Sequence, residues 1–202
     1  GFDFLALCTG AKANKVPSTE KFKNIFSIRT ANDVEKICPL IAQGKRALVI
    51  GGGYIGLEVA AVLIKQGLNV VVVELSNRIL QRVTGEKMSA YLTELHESNG
   101  VRLLTGTSVS QFEGDDHITA VVCSNGSRFN VDFVVAGVGI SPEKSLAEEC
   151  GLNVGDGIVV DEFGRTSDPM IYAAGDCAFH PNELYGRELR LESVQNATDQ
   201  AR

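Results

Sequence analysis

RALVIGGGYIGLEVAAVLIKQGLNVVVVE, residues 46–74, is the stretch from which the fold is read. Arg46–Ile50 is a short apolar strand that breaks at Gly51-Gly52-Gly53. A helix follows from Tyr54 to about Gln66, and Gly67 closes it. A second apolar strand, Val70–Val73, ends in Glu74. Strand, glycine turn, helix and strand in so short a span make a βαβ unit with a buried parallel sheet.

The spacing Gly51-x-Gly53-x-x-Gly56 is a weak signal alone. Here it follows a strand, opens a helix and is trailed by an acidic residue 18 positions after Gly56. That is the context a dinucleotide fingerprint requires. Gly51 permits the tight turn, Gly53 lets the backbone approach a pyrophosphate, and Gly56 lets helix and strand pack closely. The helix N-terminus turns free N–H groups and partial positive charge toward the phosphates. Glu74 is placed to accept both ribose hydroxyls of an adenosine and to repel a 2′-phosphate, which favours NADH over NADPH. Arg78, four residues on, can meet a phosphate; a solvated or ion-paired arginine accounts for it as well. Glu58 is the one carboxylate early in an apolar helix and shares a face with Tyr54. A ring and a carboxylate there can frame a nicotinamide, and a plain solvent stripe running on to Lys65 is the rival account.

Outward from this unit, a helix over Gly85–Ser98 stops at Asn99-Gly100, and Val101–Leu104 is a third buried strand. Then the pattern shortens and alternates. Ser108–Phe112, Ile118–Cys123 and Arg128–Val131 read as an antiparallel meander, with Asn125-Gly126 as a hairpin turn. Phe133–Val138 returns to the buried-strand type. Glu143–Cys150 reads as helix, and Ile158–Val160 and Ile171–Ala174 as strands. The last helix runs from Asn196 to Arg202, with Ser193 and Asn196 as candidate caps for a helix N-terminus that favours developing negative charge. Asp3–Gly10 echoes Asp132–Gly139: Asp-Phe opens an apolar strand that ends in x-Gly. Two related nucleotide-binding units, or chance within the small alphabet of buried strands, both explain the echo. The Gly175-Asp176 pair after Ile171–Ala174 can hold the hydroxyls of a sugar or ribityl chain, or form a simple turn.

Composition narrows the function. The 202 residues carry 19 basic and 25 acidic side chains, a net charge of −6 with no basic stripe, which argues against nucleic acid and anionic membranes as partners. Apolar runs are too short to span a bilayer, which takes about 20 residues. Cys8, Cys38, Cys123, Cys150 and Cys177 form no C-x-x-C or C-x4-C, so no metal site or redox dithiol is expected within the chain, and free thiols point to a reducing cytoplasm. His96, His117 and His180 lie far apart without local metal partners, and no nucleophilic triad can be argued from the spacing. The chain opens directly on a buried-strand pattern and closes in mid-helix, so it is expected to be a fragment of a longer polypeptide.

Thr9-Gly10-Ala11, Gly51 to Glu58, Gly137-Val138-Gly139, Gly175-Asp176 and Leu191-Glu192-Ser193-Val194, in that order, resemble the FAD-dependent pyridine nucleotide-disulfide oxidoreductase superfamily. The nearest likeness is to the putidaredoxin, rubredoxin and ferredoxin reductases. The resemblance implies an α/β fold: a Rossmann-like parallel sheet with an antiparallel meander at 34–151, which binds NADH, flanked by two pieces of a partial FAD-binding domain at 1–33 and 152–202. It implies hydride transfer from NADH to FAD and single-electron transfer to a small iron–sulfur protein, with the cofactors carrying the chemistry and no catalytic side chain. Carried over by position, Gly53, Tyr54, Ile55, Glu58, Glu74 and Gly139 would serve NAD, beside Gly51 and Gly56 of the fingerprint. Thr9, Gly10, Arg29, Asp176 and Val194 would touch FAD, with Gly175 beside Asp176 in the same cofactor-binding set. Arg29 is drawn from the resemblance alone.

Two departures are expected: the family's first glycine fingerprint and its C-terminal interface domain are missing. An NADH peroxidase, nitrite reductase or monodehydroascorbate reductase shares the scaffold. A non-enzymatic NAD-responsive flavoprotein resembling apoptosis-inducing factor would be expected to carry a basic patch, and −6 counts against it.

Overall fold

The computed structural model describes residues Gly1–Arg202. Along the chain, β1 (Leu5–Leu7) and β2 (Ala11–Ala13) come first, followed by β3 (Ile25–Phe26) and α1 (Ala31–Ile37). The glycine-rich stretch forms β4 (Arg46–Ile50), α2 (Tyr54–Lys65) and β5 (Asn69–Val73). Next come α3 (Glu86–Ser98), β6 (Arg102–Leu104), β7 (Val109–Glu113), β8 (Ala120–Cys123), β9 (Arg128–Asn130) and β10 (Phe133–Ala136). The remainder holds β11 (Ile140–Pro142), α4 (Ser145–Glu149), β12 (Ile158–Val159), β13 (Ile171–Ala173), β14 (Ala178–Asn182), β15 (Arg187–Leu189) and α5 (Val194–Gln200). No helix is long and apolar enough to cross a membrane.

The chain divides into two units, residues 13–139 and residues 1–12 with 140–202. In the first, five parallel strands run in the order β3-β10-β4-β5-β6. Alternate residues of each strand serve opposite faces. Ala47, Val49, Val70, Val72, Phe133 and Val135 pack on one face with Ala60 and Leu63 of α2. Leu48, Val73 and Val134 pack on the other against Ile118, Val121 and Cys123 of the meander. A sheet covered on both faces selects the near-continuous apolar runs from which these strands were read. The meander itself is the antiparallel set β7-β8-β9.

Asn24 fastens the segment before β3 to this assembly. It is 5% exposed. Its amide donates to the carbonyls of Ile118 and Asp132, both at 2.9 Å, and its Oδ1 accepts from Ile118 N–H at 2.7 Å. Asn24→Ala strands these buried groups and is expected to cost about 2–3 kcal/mol, read from urea unfolding. Next to it, the Lys23 ammonium, then the His117 ring, hold the exposed Asp116 carboxyl down to about 2 from 3.8. A depressed carboxylate contributes stability above its unfolded value and loses it as pH falls through the folded one. Wild type is therefore expected to lose stability between about pH 4 and 2 more steeply than Asp116→Asn. Parallel unfolding curves across that window would remove any role for this cluster.

In the second unit, β1 pairs in parallel with β13, β12-β14-β15 form a three-stranded sheet, and β2 pairs with β11. Its core is built on Leu7, Ala147, Leu152, Ile158, Val160, Ala173 and Cys177.

The division falls at 13 and 139, whereas the sequence reading places its boundaries at 34 and 151. The difference has a packing cause. β3 joins the parallel sheet beside β10, and Ile37 of α1 enters that sheet's core. At the other end Ala147 of α4 and Leu152 bury in the core of the second unit. α1 has a readable start, since Thr30 and Asp33 form a reciprocal capping box. The last helix begins at Val194, not Asn196: Ser193 is the N-cap and its Oγ accepts from Asn196 N–H at 3.1 Å. β2, β3, α1, β11, β14 and β15 lie outside the elements read from the sequence; four of them are only two or three residues long, and Pro181 within β14 hides its strand pattern.

Candidate dinucleotide-binding site

β4 is the sheet's turning point. From it the chain steps through α2 to β5 and through α3 to β6, then returns by the meander to β10 on the other side of β4. Ligands of open parallel sheets lie at the carboxyl ends of the strands where the order reverses. Gly51–Gly56 leaves β4 at that point, and Gly137–Gly139 leaves β10 beside it.

The glycines divide the work as their spacing predicts. Gly51 has φ 105°, and a Cβ on it would run into the Gly137 carbonyl. A Cβ on Gly56 would overlap the Gly51 carbonyl, so the start of α2 and the bend are in backbone contact. Gly53 differs: nothing lies within 4 Å of where its Cβ would stand. It is the N-cap of α2 and makes no side-chain cap. The first N–H groups of the 12-residue helix have no partner within the helix. Open space over Gly53 and uncapped donors beneath it fit a diphosphate.

Glu74 directly follows β5, with its side chain turned onto the bend. Oε2 accepts from Gly52 N–H at 2.6 Å and Oε1 from Ser76 N–H at 2.7 Å. A carboxylate has about four lone-pair sites, so two such bonds leave capacity for a ligand's hydroxyls. Arg78 lies four residues beyond Glu74. Its guanidinium donates to the carbonyls of Thr84 (2.8 Å) and Gln81 (3.0 Å), tying down the loop before α3. Between Arg78 and α3 lies a shallow groove of about 480 Å³, lined in part by Glu86, Thr93 and Thr105.

Tyr54, Ile55 and Glu58 share the outer face of the first turns of α2, and all three are exposed, Tyr54 at 58%. The face continues through Val62, 55% exposed, to Lys65. An aromatic ring and two aliphatic side chains are more apolar than a mere solvent stripe. Gly139 is held by Asn14, whose N–H donates to the Gly139 carbonyl at 3.0 Å.

In the second unit the parallel register of β1 and β13 puts their carboxyl ends side by side. Thr9-Gly10 follows one and Gly175-Asp176 the other. Thr9 Oγ1 donates to the Glu143 carbonyl at 2.5 Å. Gly175 N–H donates to Gln200 of α5 at 2.8 Å, and Arg190 donates to the Asp176 carbonyl at 3.2 Å. Val194, at the first turn of α5, is 86% exposed. Thr9, Gly10, Gly175 and Asp176 are thus gathered on one strand edge, with α5 tied to the same turn through Gln200. Arg29 lies in the unit of residues 13–139, where its N–H donates to Asp33 Oδ2 at 3.1 Å ahead of α1. No His, Cys, Asp or Glu cluster could hold a metal ion.

The sequence reading names Gly137, which abuts the bend, only as part of a motif and assigns it no place in the site, and it does not name Asn14, which anchors Gly139. It also left out Ile79 and Leu80. Ile79 is fully buried, with its Cγ2 2.9 Å from where a Gly52 Cβ would stand. Leu80 has φ 53°, a left-handed conformation that costs a non-glycine residue about 1–2 kcal/mol. Only the Gly-x-Gly pattern around Gly137 was a visible signal.

The chain matches the family described as pyridine nucleotide-disulphide oxidoreductase over residues 1–201. It is 43% identical over 208 residues to a putidaredoxin reductase of Pseudomonas putida, covering 100% of this chain and 49% of that protein. It is 41% identical over 203 residues to a rhodocoxin reductase of Rhodococcus erythropolis, covering 100% of this chain and 48% of that protein. The solved structure of a covalent putidaredoxin reductase–putidaredoxin complex superposes with a TM-score of 0.95 at 43% identity, over 99% of this chain and 50% of that one. The chain spans about half the length of the curated relatives it matches. With the glycine bend at the turning point of the sheet, the carboxylate on it and a match over nearly every residue, the chain belongs to the pyridine nucleotide-disulphide oxidoreductase family.

Proposed function

We propose that this chain is the nucleotide-binding part of an NADH-dependent flavoprotein reductase that passes electrons through FAD to a small iron–sulfur protein of the ferredoxin or rubredoxin type. The observation that carries the reading is Glu74 hooked onto a glycine bend whose outer side, at Gly53, is open. The names of the relatives, putidaredoxin reductase and rhodocoxin reductase, support the acceptor class.

In this reading residues 34–151 hold the dinucleotide, and residues 1–33 with 152–202 contribute to the FAD site. The backbone at Gly51, Gly53 and Gly56, with the first N–H groups of α2, binds the pyrophosphate. Glu74 accepts the adenosine ribose hydroxyls and disfavours a 2′-phosphate, so NADH is preferred over NADPH. Tyr54, Ile55 and Glu58 line the nicotinamide end: the ring and the isoleucine exclude water, and Glu58 accepts from the carboxamide. Gly139 closes the site from the β10 side. Thr9, Gly10, Gly175, Asp176 and Val194 form the part of the FAD site in the unit of residues 1–12 and 140–202, and Arg29 is assigned to FAD as well. When bound, the two cofactors supply hydride and single-electron chemistry, and no side chain of this chain is assigned acid–base work. What the protein adds is alignment. Five cysteines, none in a disulfide, suit a cytoplasmic setting.

Because this chain spans about half the length of its relatives, the activity is assigned to the full-length protein and not to these 202 residues alone, and the test is anaerobic titration of the full-length, FAD-loaded protein with NADH, followed by a ferredoxin or a rubredoxin. Bleaching of the flavin by NADH, and its return on addition of the iron–sulfur protein, is the expected result. A flavin that stays oxidised ends the reductase reading. A flavin that is reduced but hands nothing on removes the acceptor class alone.

A further inference from the structure

Three consecutive glycines form the most flexible backbone a chain can offer, and such a segment binds well only if something orders it beforehand. Here both backbone polar groups of Gly52, in the two peptide units that flank it, are held. Its N–H donates to Glu74 Oε2, and the Gly52 carbonyl accepts from Leu80 N–H at 2.9 Å. Leu80 can point that N–H at the bend while it keeps the left-handed conformation already noted, with its side chain buried beside Leu57 and Ile79. The preceding carbonyl, that of Ile79, accepts from Ser89 Oγ at 2.5 Å. Ser89 lies on α3 and is 1% exposed. A strained backbone persists only where its surroundings over-determine it, and such sites gather where ligands are bound.

We propose that Leu80 and Ser89 are positioning residues of the dinucleotide site: Ser89 holds the Ile79–Leu80 turn from α3, and Leu80 holds the Gly52 carbonyl, so that the bend is ordered before the dinucleotide arrives. Neither side chain touches the ligand. The inference rests on the dinucleotide reading above and adds a second row of residues behind it.

Calorimetry with NAD⁺, which does not reduce a flavin, separates the two. Ser89→Ala removes one buried hydrogen bond from the support and is expected to weaken NAD⁺ binding about fivefold. Amide exchange at Gly52 and Leu80 is expected to accelerate in the same variant. Ser89→Cys keeps a weak donor and is expected to fall between the two proteins. A serine that served only general stability would lower the melting temperature and leave both the NAD⁺ constant and those two amides unchanged, which overturns the proposal. If Ser89→Ala does not fold, Leu80→Gly replaces it. That variant keeps the N–H and accepts the same φ but releases the turn; a several-fold loss of NAD⁺ affinity, absent in Leu80→Met, is expected, and equal affinity in Leu80→Gly and wild type overturns the clamp. Failure of wild type itself to bind NAD⁺ would refute the dinucleotide reading, while the exchange rates at Gly52 and Leu80 would still decide whether Ser89 orders the bend.

Discussion

Gly56→Ala is expected to abolish measurable NAD⁺ binding and to destabilise the protein by about 3 kcal/mol. The added Cβ lands on the Gly51 carbonyl, with Val49 Cγ1 only 3.4 Å away. Both obstacles are fixed, because Gly51 N–H is bonded to the Val73 carbonyl at 2.8 Å and Val49 is fully buried in the sheet. To admit the methyl group, α2 must slide off β4, which separates its first N–H groups from the bend and opens the contact between Leu57 and Ile79. Urea unfolding and NAD⁺ calorimetry read the two consequences. A variant with wild-type stability and affinity would mean that the helix does not press on the bend as described.

Glu74→Gln carries the second large effect, and its direction depends on the nucleotide. The carboxylate accepts one N–H on each oxygen, and glutamine can replace only one of those acceptors. Its NH₂ must then face a backbone donor, either Gly52 or Ser76. Hydrogen bonds to a charged group contribute about 1.5–3 kcal/mol, so NAD⁺ binding is expected to weaken about 10- to 100-fold. NADP⁺ loses the same support from the bend but gains relief from repulsion at its 2′-phosphate. The ratio of the two dissociation constants therefore shifts toward NADP⁺. Equal losses for both nucleotides would show that Glu74 shapes the bend without meeting the ribose.

The echo between Asp3–Gly10 and Asp132–Gly139 has a structural counterpart. Both segments form short strands in parallel pairings, β1 with β13 and β10 with β4, and both end at a glycine of positive φ. Equivalent strand-to-loop corners explain the likeness, whatever their origin.

Residues 46–74 by themselves determined the βαβ unit, the direction of its strands and the place of the phosphate-binding bend. Local chemistry decides each of these: apolar runs buried on both faces, glycines where a side chain would collide, and a carboxylate at the next strand's end. The meander was equally legible from alternation and from Asn125-Gly126. Tertiary structure alone decided which distant backbones meet that bend. Gly137 reaches Gly51 because β10 returns to the far side of β4, and β3 joins the sheet although two residues are too few to show a period. Leu80 takes a conformation that leucine disfavours because Gly52, Leu57 and, through Ile79, Ser89 impose it together. Propensity is a property of neighbours along the chain, whereas closure of the bend is a property of neighbours in space.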